Sequence, residues 1–397
     1  MWYELAIGII LGTIAGLVPG IHSNTFAALL LLAAPNFGDV GVIIISSAIT
    51  YTVVNIIPAT FLGVPDEDTA LSVLPSHKMV LEGRGFEVIT ISALASFLSI
   101  VISLPLYLTI HSIAHNYSLL RFLTPYVLIF IAFFLIFSEK GEPFAGRYSA
   151  WLKRTYALLI FLISGFLGYV ALKNSQLFEI HPAGSVLLPL LTGLFATPVL
   201  VFSSSNPVPE QKKMLKIPDL DSVTKGTLAG FFVSLFPGIS SGVATVVSTL
   251  GEKKEERYIS AISAANSANA ILCLFFYIVT NRTRSGAADA LKKLHYYPEV
   301  LNIIVLAIIS AFAALLVTIA FGYLLSEKIS KFKAGKLSLA VLGFLIILIG
   351  YLTGPFGLIL FFAASFIGIL AVRLKVKRVN CMGCLMLPVI IYYLTHT

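Results

Sequence analysis

Apolar runs long enough to cross a bilayer recur along this chain from one end to the other, and that recurrence leaves few folds open. VGVIIISSAITYTVVNIIPATF at 40–61 is one such run and LNIIVLAIISAFAALLVTIAFGYLL at 301–325 is another. In hydrocarbon a spanning segment must satisfy every backbone N–H and C=O within itself, so a run of roughly 17 to 25 apolar residues reads as a helix. Composition agrees: 58% of the 397 residues are hydrophobic, 12% are charged, and the mean hydropathy is +0.94. An average soluble domain is excluded, as is any sizeable soluble domain within the chain. The chain reads as an all-α integral membrane protein, multi-pass in the cell membrane. Its opening MWYE lacks a basic n-region, so the N-terminus reads as mature structure and not as a signal peptide.

The net charge of +8 has a topogenic origin. Lys and Arg fall in short loops between apolar runs, the positive-inside pattern, and no nucleic-acid partner is implied. Cys273 sits inside an apolar run, and Cys381 and Cys384 form CMGC. Two cysteines do not complete a four-ligand zinc site, so no metal centre is expected, although a redox or shared metal role for that pair stays open.

Crossings are predicted near 40–63, 86–110, 119–138, 155–172, 184–203, 259–280, 299–325, 337–352, 356–372 and 383–395, about ten transmembrane helices. Two further apolar stretches, 3–35 and 225–250, are each cut by Pro-Gly, at Pro19-Gly20 and Pro237-Gly238. The segments around these breaks resemble each other. GTIAG at 12–16 returns as GTLAG at 226–230, and PGIHS at 19–23 returns as PGISS at 237–241. Residues 1–205 therefore form membrane repeat 1 and 225–397 membrane repeat 2, joined by a polar cytoplasmic linker at 206–224. If each Pro-Gly element is a re-entrant helical hairpin, the basic loops at 140–154, 212–225, 328–336 and 373–378 share one side of the membrane. Five crossings per half then make the two repeats inverted in topology.

A helix that restarts after Pro-Gly presents N–H groups without intrahelical partners and the positive end of its dipole. Gly20, His22, Ser23 and Asn24 occupy one restart, and Gly238, Ser240 and Ser241 the other. Brought together by inverted repeats, they would form an anion cradle near the bilayer midplane. His22 suits anion binding when protonated, proton shuttling, or a neutral buried hydrogen bond. Thr50, Thr52 and Asn55 in the first half, and Asn266 and Asn269 in the second, are further intramembrane polar residues. Later loops contrast in sign: Asp66, Glu67 and Asp68 in repeat 1, Arg282 and Arg284 in repeat 2. The carboxylates, with Asn55, are candidates for cation coupling by Na⁺ or H⁺, and the arginines for pairing with an anionic substrate; simple solvation of both loops is the alternative.

No GxSxG, Walker, HExxH or paired CxxC pattern is present, so an enzyme, an ATP-driven pump and a bound organic cofactor are not expected.

GLVPGIHSNTFAALLLLAAP and LGVPDEDTALSVLPSHKMVLEGRG, with PGISSG and NSANA in the second half, resemble the TctA family, the large permease subunit of tripartite tricarboxylate transporters. That resemblance implies a secondary active transporter for an organic anion, a carboxylate, driven by a cation gradient. It also implies a small membrane subunit and an external binding protein as partners. The chain departs from the family pattern at Asp66, which follows Gly63-Val64-Pro65 where a glycine is the rule, and at Asn281-Arg282-Thr283 where Pro-Gly is the rule. PGISSG is also similar to loops of polyprenyl-phosphate translocases, which keeps a lipid-phosphate ligand as the alternative.

Overall fold

The computed structural model describes residues 2–18, 38–63, 73–114, 117–141, 146–178, 184–202, 208–249, 254–330 and 334–396, with a few single positions between them. Among the described residues the secondary structure is helical throughout. In chain order the helices are α1 (Trp2–Leu17), α2 (Val40–Val54), α3 (Ile56–Phe61), α4 (Val73–Leu81), α5 (Gly85–Ser103), α6 (Leu106–Ala114), α7 (Tyr117–Phe137) and α8 (Gly146–Lys173). They continue as α9 (Leu187–Val201), α10 (Leu220–Leu235), α11 (Ser241–Ser248), α12 (Glu255–Thr280), α13 (Gly286–Lys293), α14 (Val300–Ile329), α15 (Ala334–Arg373) and α16 (Gly383–His396).

Eight helical stretches among the described residues are long and apolar enough to cross a membrane. The predicted run at 184–203 forms α9, a shorter helix carrying a π-turn at Thr192–Ala196. The predicted runs at 337–352 and 356–372 both lie in α15, which is interrupted at Gly354, with φ 66° and ψ −161°, just before Pro355. Glycine tolerates that backbone and proline withholds the N–H that would continue the helix, so the sequence boundary and the structural break coincide. A milder interruption divides α2 from α3 at Asn55, three residues before Pro58.

Packing divides the chain into two compact units, and each draws segments from both halves of the sequence. The first comprises Met1–His115, Ser203–Leu235 and Ser240–Val341; the second comprises Asn116–Phe202, Phe236–Ile239 and Leu342–Thr397.

In the first unit α2–α3 and α12 form the core, with 94% and 78% of their apolar windows buried. Small and hydroxylated residues permit that burial. Ser46, Ser47 and Thr52 donate their hydroxyls to the carbonyls of Val42, Ile44 and Ile49 at 2.7, 3.0 and 2.9 Å, so each hydroxyl hydrogen is satisfied within the helix. The duplicated Gly-x-x-x-Gly patterns serve as close-packing seams against these two core helices. A Cβ at Gly12 would lie 2.5 Å from the Ser47 carbonyl, and one at Gly16 2.8 Å from Val54 Cβ. Gly226 meets the Ala261 carbonyl in the same manner, and Gly230 meets Ala265 and Ala268. The register also repeats: a Cβ at Gly16 would lie 3.3 Å from the backbone N of Asn55, and one at Gly230 3.0 Å from that of Asn269.

Asp39 fixes the start of α2. Its Oδ1 accepts from Val42 N at 3.3 Å as an N-cap, and its Oδ2 accepts from the Tyr296 hydroxyl at 3.2 Å. At the opposite end of the unit, Arg84 bonds Glu87 at 2.7 Å and Glu256, while Lys78 pairs with Glu255. The linker adds Gln211, which accepts from Gly85 N at 2.7 Å and donates to the Val80 carbonyl at 3.1 Å.

The second unit shows the opposite pattern of burial. Less than half of the apolar windows of α7 and α8 is covered, and Phe122, Tyr126, Phe130, Phe133 and Phe137 form an exposed aromatic and apolar stripe along α7. Such a face suits an apolar surrounding such as lipid. Its polar interior is local: buried Glu139 accepts from Lys377 N at 2.7 Å and Asn380 Nδ2 at 2.8 Å.

Candidate functional site

A buried polar cluster of the first unit lies where α2, α5 and α12 meet. Thr52, Asn55, Ile56, Ser92, Ile262, Ser263 and Asn266 line a small cavity there, about 10 Å³ in volume. That is room for a single water-sized group. Its walls are tied together by side chains. Asn266 Nδ2 donates to the Thr52 carbonyl at 3.4 Å, and Ser267 Oγ donates to Thr52 Oγ1 at 3.3 Å. Ser92 and Ser263 share a hydrogen bond of 2.7 Å, and Ser96 Oγ donates to the Ser263 carbonyl at 3.3 Å. No charged side chain stands among the described residues that line it.

Thr52 and Asn266 are separated by 214 residues. The same separation relates Gly12 to Gly226, Ser47 to Ala261 and Asn55 to Asn269, the pairs matched by the two glycine seams. Thr52 and Asn266, which touch at the cavity, therefore stand at the same sequence offset as the two seams.

The second Pro-Gly element is described in full. Gly238 has φ +84°, a left-handed conformation that glycine adopts without strain, and a Cβ there would come within 3.0 to 3.1 Å of the Val389 side chain. Helix α11 starts under Ser240, whose Oγ accepts from Val243 N at 3.3 Å. Ser241 is buried in its first turn. At the end of α10, Arg284 Nη2 donates to the Leu235 carbonyl at 3.0 Å, and its guanidinium lies 5.2 Å from the centre of the Phe276 ring. A cation there complements the negative end of the α10 dipole.

The sequence-predicted residues thus separate. Asn55 and Asn266 come together at the cavity. Asn269 faces the α10 seam, where its Oδ1 accepts from Cys273 Sγ at 3.2 Å. Arg284 reaches the end of α10 ahead of the Pro-Gly break, while Arg282 is exposed in the loop after α12. Gly20, His22, Ser23 and Asn24, together with Asp66, Glu67 and Asp68, lie outside the described residues. Ser92 and Ser263 were not singled out from the sequence. Their signal is a serine stripe at helical spacing, Ser92, Ser96, Ser99 and Ser103 on α5 facing Ser260, Ser263 and Ser267 on α12.

Long apolar helices packed around a buried polar cluster define a multi-pass membrane protein. The chain belongs to the tripartite tricarboxylate transporter TctA family, whose sequence model matches residues 4–383. It is also similar to an uncharacterized protein of Methanocaldococcus jannaschii, 32% identical over 98% of both chains. No solved structure matches it.

Proposed function

We propose that the chain is the membrane permease of a secondary carrier that moves an organic anion, a carboxylate, at the expense of a Na⁺ or H⁺ gradient. Family membership supports the substrate class. The observation that carries the mechanism is the second Pro-Gly break: Arg284 holds the end of α10 on one side, and α11 begins under Ser240 on the other. A fixed cation and the positive end of a helix flank one interruption, a combination that favours a carboxylate. Gly20, His22, Ser23 and Asn24 would supply the matching restart from the first half, with Asp66, Glu67 and Asp68 as coupling candidates in the loop that follows. The repeated seam register supports two related halves; inserted oppositely, they would bring the restarts together. An amide cradle would also accept a lipid phosphate, but the family favours a soluble carboxylate. A small membrane subunit and an external binding protein would complete the carrier.

The test is uptake of radiolabelled citrate and shorter carboxylates into proteoliposomes under imposed Na⁺ or H⁺ gradients, with and without the partner subunits. Absence of gradient-dependent flux for every carboxylate overturns the proposal. Gly238→Val places a β-branched residue at φ +84° against Val389, a strain of about 1–3 kcal/mol. This variant is expected to insert in the membrane and lose uptake; normal uptake would remove the break from the mechanism.

A further inference from the structure

We infer that the cavity between α2, α5 and α12 is a binding site for one dehydrated sodium ion. The inference rests on the reading of this chain as a cation-coupled permease, and it places the ion at a point that reading leaves open. Five of the residues lining the cavity, Thr52, Asn55, Ser92, Ser263 and Asn266, carry a hydroxyl or amide oxygen. Each is a hard, neutral ligand of the type alkali cations prefer. A hydroxyl that donates one hydrogen bond keeps lone pairs for a cation, so the 2.7 Å Ser92–Ser263 contact and the Thr52 bond to the Ile49 carbonyl leave coordinating capacity in place. Pro58 has no N–H to offer the carbonyl of Val54 four residues earlier, and the helix is interrupted at Asn55, on the cavity wall. Discontinuous membrane helices hold coupling cations at such interruptions, near the contact between repeats. Here the repeat-equivalent Thr52 and Asn266 meet.

Size and charge narrow the choice of ion. About 10 Å³ admits one water-sized particle without a hydration shell, the scale of a bare alkali cation. With no carboxylate among the described lining residues, the wall does not provide the charged ligands that a divalent cation takes. Because the wall is neutral, the buried ion keeps its full positive charge, and an anion bound elsewhere in the same unit would strengthen its binding.

The experiment is saturation binding of radiolabelled sodium to the purified full-length chain, competed with unlabelled sodium, potassium and choline. Wild type is expected to bind saturably, with unlabelled sodium competing and choline, too large for the cavity, failing to compete. Thr52→Val and Ser263→Ala each remove one oxygen with little change of shape, and each should raise the half-saturating sodium concentration about tenfold or more. Ser92→Ala is the second route if one of these fails to fold. Ser103→Ala removes a buried α5 hydroxyl bonded to the Ser99 carbonyl, away from the cavity, and should bind as wild type. The inference is overturned if wild type shows no saturable sodium binding, if the cavity variants bind normally, or if Ser103→Ala loses binding equally. Sodium-driven carboxylate uptake that is indifferent to the cavity variants would overturn this site and leave the proposed function standing. Sodium binding lost in those variants, with no carboxylate flux in wild type, would do the reverse.

Discussion

Asp39 and Tyr296 show how a single side chain can serve two elements. The carboxylate caps α2 with one oxygen and receives the Tyr296 hydroxyl on the other, ahead of α14. Burial first, and the nearby Asp39 charge second, raise the Tyr296 phenol from its ordinary value near 10 to about 12. A group whose folded-state pKa is raised contributes stability below its unfolded pKa and loses it as pH rises. The window for Tyr296 is therefore pH 10 to 12. Tyr296→Phe should lower stability at neutral pH by about 1 kcal/mol, for one hydrogen bond to a charged acceptor that is partly solvated, and the melting temperature with it. The gap to wild type should close between pH 10 and 12, as measured by a pH series of thermal melts in detergent. A constant gap across that range would show that the bond does not titrate in the folded protein.

At the scale of elements, the two glycine seams decide how closely α1 and α10 approach the core helices. Lipid is as apolar as a leucine side chain, so association relies on close backbone approach, which a Cβ prevents. Gly226→Leu would drive a side chain into the Ala261 carbonyl and should destabilise the unit by about 1–3 kcal/mol or more. Gly343 is the comparison, since a Cβ added there meets nothing within 4 Å. Gly343→Ala should be neutral or stabilising by about 0.5–1 kcal/mol, the helix-propensity difference. Fluorescence-detected size-exclusion melts of the two variants measure the contrast; equal effects would refute the seam. The motif was legible in the sequence because it occurs twice at local spacing. Its partners, Ser47 and Ala261, were not, because pairing between helices depends on contacts no local pattern records.

On the scale of the whole molecule, ion pairs join segments from both sequence halves within the first unit. Arg84, held firmly protonated by Glu87 and then Glu256, links the start of α5 to the start of α12, and Lys78 with Glu255 runs alongside. Glu256→Lys should lower the melting temperature more than Glu256→Gln, and raising the salt concentration should shrink the difference. Identical melts for both variants would mean that the pairing contributes nothing. The same pairs sit on the side of the linker that carries Lys213 and Lys216, where Lys213 pairs with Glu327 at 3.0 Å. A carrier that alternates between two states would have to hold or release such ties as one body.

Run length, proline's missing N–H and glycine's missing Cβ are properties of the residues themselves. They were enough to establish a polytopic helical membrane protein, the break at Pro237-Gly238, the boundary between the runs at 337–352 and 356–372, and the duplicated glycine motif. Which apolar helix faces lipid was a tertiary decision: α2–α3 and α7 are similarly apolar, yet one is almost wholly enclosed and the other largely exposed. Hydropathy cannot separate a neighbouring helix from a lipid tail, since both exclude water. Tertiary packing likewise sent Asn266 to the cavity and Asn269 to the α10 seam, although they lie three residues apart, and it brought Ser92 and Ser263 to Thr52. Convergence of residues distant in the chain depends on how helices cross, and only the folded molecule specifies that.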